Sequence, residues 1–315
     1  MQPQPKVLLI GALGYIGSRL LTHLRAAGHD VTGLDRAAKP GSALLAADYR
    51  SLTETELGQF GTVIWLAGHS SVKMSVDAPA DAFDNNVSGM LRLAQRLRPA
   101  QRLIYASSAS LYSGNESPSH VITEDVIGFQ YQNAYDLSKY AFDKLISTLG
   151  VNFCGLRFGT VCGTSVNQRH ELLINSMVRS AVQDGVVRVS NPQARRSVLA
   201  LNDLVAAIEG LLEVVPEPGF YNLASYSMSI GEFGSAVAAQ LAARLVDVPG
   251  SGTYNFSVDS TKICRALGRP LLTPLPALID ELAAFYDTES KDDSCTRFPT
   301  PKTTVSPVAR TSWST

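Results

Sequence analysis

A chain of 315 residues, 45% hydrophobic and with a formal net charge of −1, suits one large α/β domain with a smaller one appended. A charge so near zero, with no basic stretch, excludes nucleic acid and anionic membrane as expected partners. The four cysteines, at 154, 162, 264 and 295, form no C-x-x-C pair, so neither a metal site nor a disulfide framework is expected. Residues 1–5 lack the charged and apolar regions of a signal peptide, and no apolar run reaches the length of a membrane span; a soluble, cytoplasmic protein is expected.

The first predicted element is the strand Val7-Leu8-Leu9-Ile10, followed at once by Gly11-Ala12-Leu13-Gly14-Tyr15-Ile16-Gly17. Glycines between a strand and a helix let the backbone turn sharply and approach a pyrophosphate, which the helix N-terminus attracts. Gly11, Gly14, Tyr15, Ile16 and Gly17 are therefore expected to hold a dinucleotide. A helix over 20–27 closes at Gly28. The second strand ends at Asp35, where a carboxylate accepts hydrogen bonds from the adenosine ribose. That favours NAD over NADP, although the neighbouring Arg36 offers a guanidinium to a 2′-phosphate. Another strand spans 62–67, and a helix over 86–97 ends before Pro99.

A strand over 103–106 runs into Ser107-Ser108-Ala109-Ser110-Leu111-Tyr112. A hydroxyl at that strand end could bind a reacting oxygen; a solvated serine-rich turn is the equal alternative. The helix over 135–149 opens with Tyr135-Asp136-Leu137-Ser138-Lys139, so Tyr135 and Lys139 share one face. A phenol with a pKa of about 10 is a poor base at neutral pH, but an ammonium and an oxidised nicotinamide both favour phenolate. A strand over 151–156 follows. Apolar runs separated by helices, without alternation, indicate a doubly wound parallel sheet with ligands at the carboxyl ends of its strands. The expected organisation is a Rossmann domain over 1–163, its sheet completed by segments near 198–201 and 220–224. A substrate-binding lobe follows over 164–286, with helices at about 170–184, 202–214 and 230–244. Residues 287–315, rich in Ser, Thr and Pro, are expected to be a disordered tail.

From about residue 6 to 286 the chain resembles the extended short-chain dehydrogenase/reductases, in particular their nucleotide-sugar epimerase/dehydratase branch. The resemblance rests on residues 11–17, Leu66-Ala67-Gly68, Asp84-Asn85-Asn86-Val87-Ser88-Gly89, the serine-rich strand end and Tyr135-Asp136-Leu137-Ser138-Lys139. Further on it rests on Leu156-Arg157-Phe158-Gly159-Thr160-Val161-Cys162-Gly163, Arg196-Ser197-Val198-Leu199-Ala200-Leu201-Asn202-Asp203, Tyr221-Asn222-Leu223 and residues 260–268.

The resemblance implies NAD as cofactor, Tyr135 as base, Lys139 as its electrostatic partner and Ser108, four before Tyr112, as the third catalytic residue. It adds Asp48 at the adenine, and Tyr49, Leu66, Ala67, Gly68 and Asn86, with Tyr135 and Lys139, along the cofactor. Arg196 would hold the diphosphate of a nucleotide sugar, with Ser70, Ser108, Ser110 and Thr160 also facing the substrate. A homodimer through the helices at 86–98 and 135–149 is the family expectation. The segment 66–93 is most similar to UDP-galactose 4-epimerases. Against that pattern, Ser70 replaces a lysine, Thr160 an asparagine, Cys162 a tyrosine and Ser197 an aspartate. Ala109 and Ser110 replace the acidic pair of dehydratases, which disfavours elimination of water. The leading reading is redox-neutral 4-epimerisation through a transient keto-sugar. The second is a reductase or dehydrogenase of a keto-sugar or other small carbonyl compound. The third is a non-catalytic nucleotide sensor, which has little reason to keep the Ser/Tyr/Lys set; fold alone does not separate them.

Overall fold

The computed structural model describes residues 5–113, 121–125, 132–250 and 252–296. Its first strands are β1 (Val7–Ile10), β2 (Val31–Asp35), β3 (Leu45–Ala46), β4 (Thr62–Trp65), β5 (Arg102–Ser108), β6 (Val121–Ile122) and β7 (Asn152–Phe158). The remainder are β8 (Thr160–Cys162), β9 (Val186–Val189), β10 (Arg195–Ala200), β11 (Gly219–Leu223), β12 (Tyr226–Ser229), β13 (Arg244–Asp247) and β14 (Ser257–Val258). Seven of these make a parallel sheet in the order β11-β7-β5-β4-β1-β2-β3. Chain order reverses between β1 and β4, where Ile10 pairs with Leu34 on one side and Trp65 on the other. A crevice opens at such a switch point, because the loops leaving the two strands go to opposite faces.

The unbroken apolar runs are explained by cover on both faces. Leu9, Ile64, Ile104 and Leu156 pack with Leu20, Leu24, Ile208 and Leu211 on one side of the sheet. Leu8, Ile10, Val63, Trp65 and Leu103 pack with Met90, Leu93, Phe142 and Ile146 on the other. A third core, with Ile174, Val178, Phe233, Val237, Leu278 and Leu282, belongs to the smaller lobe. No helix among the described residues is long and apolar enough to cross a membrane.

Several expectations are corrected. The segment near 220–224 does complete the main sheet, as β11 beside β7, but that near 198–201 does not. It is β10, which pairs with β8 and β12 in a separate three-stranded sheet. The cause is a break at Gly159, which divides one apolar run into β7 and β8; a Cβ there would lie 2.7 Å from the Ser197 carbonyl oxygen. The helix expected over 86–97 opens as a π-helical turn, Asp84–Gly89, before the α-helix Met90–Gln95. Tyr49 Oη donates to the Asn85 carbonyl at 2.7 Å, occupying an acceptor within that widened turn. The helix expected to reach 244 ends at Gln240, because β13 must pair with β9. The last helix, Leu275–Thr296, runs past the boundary placed at 287. Residues 297–315 of the expected tail lie outside the described residues.

Candidate active site

At the carboxyl end of β1 the backbone turns at Gly11, whose φ is +87°. A Cβ there would come within 2.8 Å of the Ala67 amide, and one at Gly17 within 1.9 Å of the Gly11 carbonyl oxygen. The helix Tyr15–Ala26 therefore starts directly against the turn, and its N-cap, Gly14, supplies no side-chain hydrogen bond. Its first N–H groups face a cradle built of backbone, which fits a pyrophosphate. Asp35 fastens the turn from the side: its carboxylate accepts from the Leu13 amide at 3.0 Å and the Ala37 amide at 2.9 Å.

A cavity of about 410 Å³ lies over this cradle. Gly11, Gly14, Tyr15, Ile16, Gly17, Asp35, Arg36, Asp48, Tyr49, Leu66, Ala67 and Gly68 all line it, as expected of cofactor-binding residues. A second cavity, of about 280 Å³, is lined by Ser70, Ser108, Ser110, Tyr135, Lys139, Thr160 and Arg196. The structure thus brings the expected catalytic and substrate-facing residues together from β5, β8, β10 and the helix Ala134–Ile146. The two cavities are continuous through shared walls at Tyr15, Ile16, Leu66, Gly68, Ser70 and Arg169.

The helix carrying Tyr135 is started by Asn133, whose side chain accepts from the Asp136 amide at 3.0 Å, a regular N-cap. One turn in, Lys139 is buried and donates from Nζ to the Ala106 carbonyl at 2.8 Å. The ammonium lies 5.8 Å from the Tyr135 ring centre and 5.2 Å from that of Trp65. Gly68 makes the room, since a Cβ there would stand 2.9 Å from the Trp65 ring. Burial lowers the Lys139 pKa to about 8, partly opposed by the Asp143 carboxylate. Burial raises that of Tyr135; a hydrogen bond from Ser108 and the charge of Arg169 work against this, while Asp136 adds to it. Ser108 Oγ lies 2.9 Å from Ser110 Oγ and accepts from the Ser110 amide at 3.2 Å. In the bare protein Tyr135 is therefore a phenol, and a cation placed beside it is needed to make it a base.

Arg196 enters the second cavity from β10. Its guanidinium donates to Thr160 Oγ1 at 2.8 Å and Thr253 Oγ1 at 3.0 Å, and stands 5.5 Å from the Tyr254 ring centre. Nε is buried without a hydrogen-bond partner, and no carboxylate pairs with this side chain among the described residues. A half-buried cation with hydroxyl neighbours and no counterion is an arrangement that an anion would complete.

Residues 7–224 match the model of the NAD dependent epimerase/dehydratase family. The chain belongs to that family. A UDP-glucose 4-epimerase of Corynebacterium glutamicum is 33% identical over 177 residues, 51% of this chain and 53% of that protein. The chain thus spans about half the length of the first curated relatives it matches. Among solved structures, a UDP-glucose 4-epimerase from Stenotrophomonas maltophila with NAD and formylated UDP-arabinopyranose superposes with a TM-score of 0.79 at 20% identity, over 91% of this chain and 99% of that one. TunA, an NAD-dependent NDP-hexosamine 5,6-dehydratase of tunicamycin biosynthesis, superposes with a TM-score of 0.77 at 21% identity, over 90% and 98%. At those identities the likeness speaks for the fold.

One residue differs from expectation within this family frame. Asn86 does not line the cofactor cavity; its amide is buried, accepting from the His69 amide at 2.8 Å and donating to the Ser138 hydroxyl at 3.0 Å. Asn85 lines the cavity instead, because the π-helical turn rotates the pair relative to a regular helix. Asp48 lines the cavity, but its carboxylate is also engaged by Arg50 at 2.6 Å. Sequence reading passed over Arg169 and Tyr254, both of which line the second cavity. Each sits in irregular chain beyond β8 or β13, with no motif to mark it. Among the described residues no group of His, Cys, Asp or Glu is arranged to hold a metal.

Proposed function

We propose that this enzyme epimerises a nucleotide sugar at C4 through a transient keto-sugar, retaining NAD throughout. The observation that carries this reading is Arg196, a half-buried guanidinium with no carboxylate partner among the described residues, in the same cavity as Ser108, Tyr135 and Lys139. It suits the diphosphate of the substrate, placing the sugar at the far end of the cavity against Tyr135. Similarity to UDP-glucose 4-epimerases supports the choice. When bound, NAD accepts and returns a hydride, and its positive ring lowers the proton affinity of Tyr135. Tyr135 removes the proton of the sugar hydroxyl while Ser108 donates a hydrogen bond to the same oxygen. Lys139 keeps the phenolate charge-compensated. The aromatic and aliphatic walls at Phe158, Val161, Leu172 and Phe256 exclude water while the sugar turns. Tyr135 then returns the proton to the same oxygen, as the turned ring presents the opposite face of its carbonyl carbon for reduction.

The test is to incubate the enzyme with UDP-, GDP-, CDP- and dTDP-sugars, following nicotinamide absorbance and product stereochemistry. An inverted sugar without net cofactor reduction is expected, and Tyr135→Phe should remove nearly all turnover while NAD affinity stays within about twofold. Stoichiometric consumption of nicotinamide would replace this reading with the second one, a net keto-sugar reductase. What favours that alternative is the burial of Tyr135, which together with the charge of Asp136 raises its pKa and so favours the acid form a reductase needs. We also propose a homodimer, supported by Leu137 and Leu145, which leave 36% and 37% of their surface exposed on the helix Ala134–Ile146.

A further inference from the structure

The segment joining β8 to the helix Leu173–Asp184 passes over the mouth of the cofactor cleft and is tied to the glycine-rich turn. Ser165 Oγ donates to the Tyr15 carbonyl at 2.6 Å and meets Ser18 Oγ at 2.9 Å. The Asn167 side-chain amide donates to the Leu13 carbonyl. Two residues further on, Arg169 extends Nη1 to the Ser70 carbonyl and hydroxyl, both at 3.4 Å, while Glu171 holds its Nε at 2.8 Å. Among the described residues, Arg169 is the one charged side chain common to the walls of both cavities.

Charge balance gives that position a meaning. A pyrophosphate is a dianion, whereas a helix N-terminus offers roughly half an elementary charge. Residues 11–17 contain no basic side chain. Arg36 lines the same cleft, within electrostatic reach of the Asp48 carboxylate and of His69. Arg196 lines the second cavity, not the first. Arg169, by contrast, arrives in the walls of the cofactor cleft on a segment bonded to the phosphate cradle itself.

We propose that Arg169 is the cation that binds the NAD pyrophosphate, exchanging the Glu171 carboxylate for a phosphate oxygen and clamping it against the N-terminus of the helix Tyr15–Ala26. The exchange is downhill for physical reasons. The Arg169–Glu171 pair is solvent-facing, with 25% and 65% of the two side chains exposed, and such pairs contribute little in water. A guanidinium–phosphate contact in an enclosed cleft is charge-assisted and can be bidentate. The segment would then act as a third wall over the dinucleotide, slowing its loss between half-reactions.

Calorimetric titration of the full chain with NAD⁺, adenosine and UDP separates the possibilities without requiring turnover. For Arg169→Gln, NAD⁺ affinity is expected to fall roughly tenfold, the size of one lost charge-assisted hydrogen bond, with adenosine affinity unchanged. Glu171→Gln, which removes the competitor and leaves the guanidinium, should tighten NAD⁺ binding. NAD⁺ affinity within about twofold of the unmodified chain in Arg169→Gln would overturn the assignment. So would a larger loss for UDP than for NAD⁺, which would give the guanidinium to the substrate. If Arg169→Gln does not fold, Glu171→Gln decides alone: unchanged or weaker NAD⁺ binding sinks the proposal.

Discussion

Lys139 is the residue at which function and stability pull in opposite directions. Its ammonium is buried beneath the site, and burial lowers its pKa from 10.5 to about 8. Below pH 8 the folded and unfolded chains both carry the proton, so folding bears the full cost of burying the charge. Between about pH 8 and 10.5 only the unfolded chain keeps it, and stability rises with pH through that window. The cost is gone above 10.5. Urea unfolding should therefore show the unmodified chain gaining on Lys139→Met by up to about 3 kcal/mol as pH goes from 8 to 10.5. A difference that is flat with pH would mean that the ammonium is better solvated than its burial indicates. The same site tolerates this cost because a charged lysine is what stabilises the Tyr135 phenolate; stability is given up where chemistry needs it.

At the scale of elements, the unit proposed to hold the cofactor is β1, its glycine turn and the helix that follows. The two later glycines of that turn are not equivalent. A Cβ at Gly17 would lie 1.9 Å from the Gly11 carbonyl oxygen, whereas one at Gly14 would lie 3.3 Å from the same atom. Backbone has to move for the first and barely for the second. Gly17→Ala is expected to cost about 1–3 kcal/mol of stability and to weaken NAD binding at least tenfold, an estimate of roughly the same energy. Gly14→Ala should do much less of either. Thermal unfolding and calorimetry on the pair check this, and equal effects would show that the turn relaxes freely. Much of this element was legible beforehand, since a strand, a glycine turn and a helix each have local signatures. The π-helical turn at Asp84–Gly89 was not, because Tyr49, from a distant loop, supplies the bond that occupies its carbonyl.

For the whole molecule, the proposed dimer places the exposed face of the helix Ala134–Ile146 against its counterpart in a second copy. Leu137→Asp together with Leu145→Asp would put two charges into that contact, which uncompensated burial does not tolerate. Light scattering should find a dimer for the unmodified chain and a monomer for the double variant. A monomeric unmodified chain at micromolar concentration would refute the proposal. The same helix carries Tyr135 and Lys139 on its other side, so a change in NAD affinity in the monomeric variant would show that assembly and the active site are linked.

What the sequence by itself determined is local. The doubly wound order, the cradle at residues 11–17, Asp35, and the pairing of Tyr135 with Lys139 on one helix face each follow from periodicity or from spacings of a few residues. Tertiary structure decided everything that required distant segments to meet. It turned β10 away from the main sheet at Gly159 and left Arg196 half-buried without a carboxylate among the described residues. It also directed Asn86 inward and Asn85 to the wall of the first cavity, and it set Arg169 in the walls of both cavities. None of these has a periodic signature, because a contact between residues far apart in the chain is selected by the packing of whole elements, and single-residue patterns carry no record of which elements will pack.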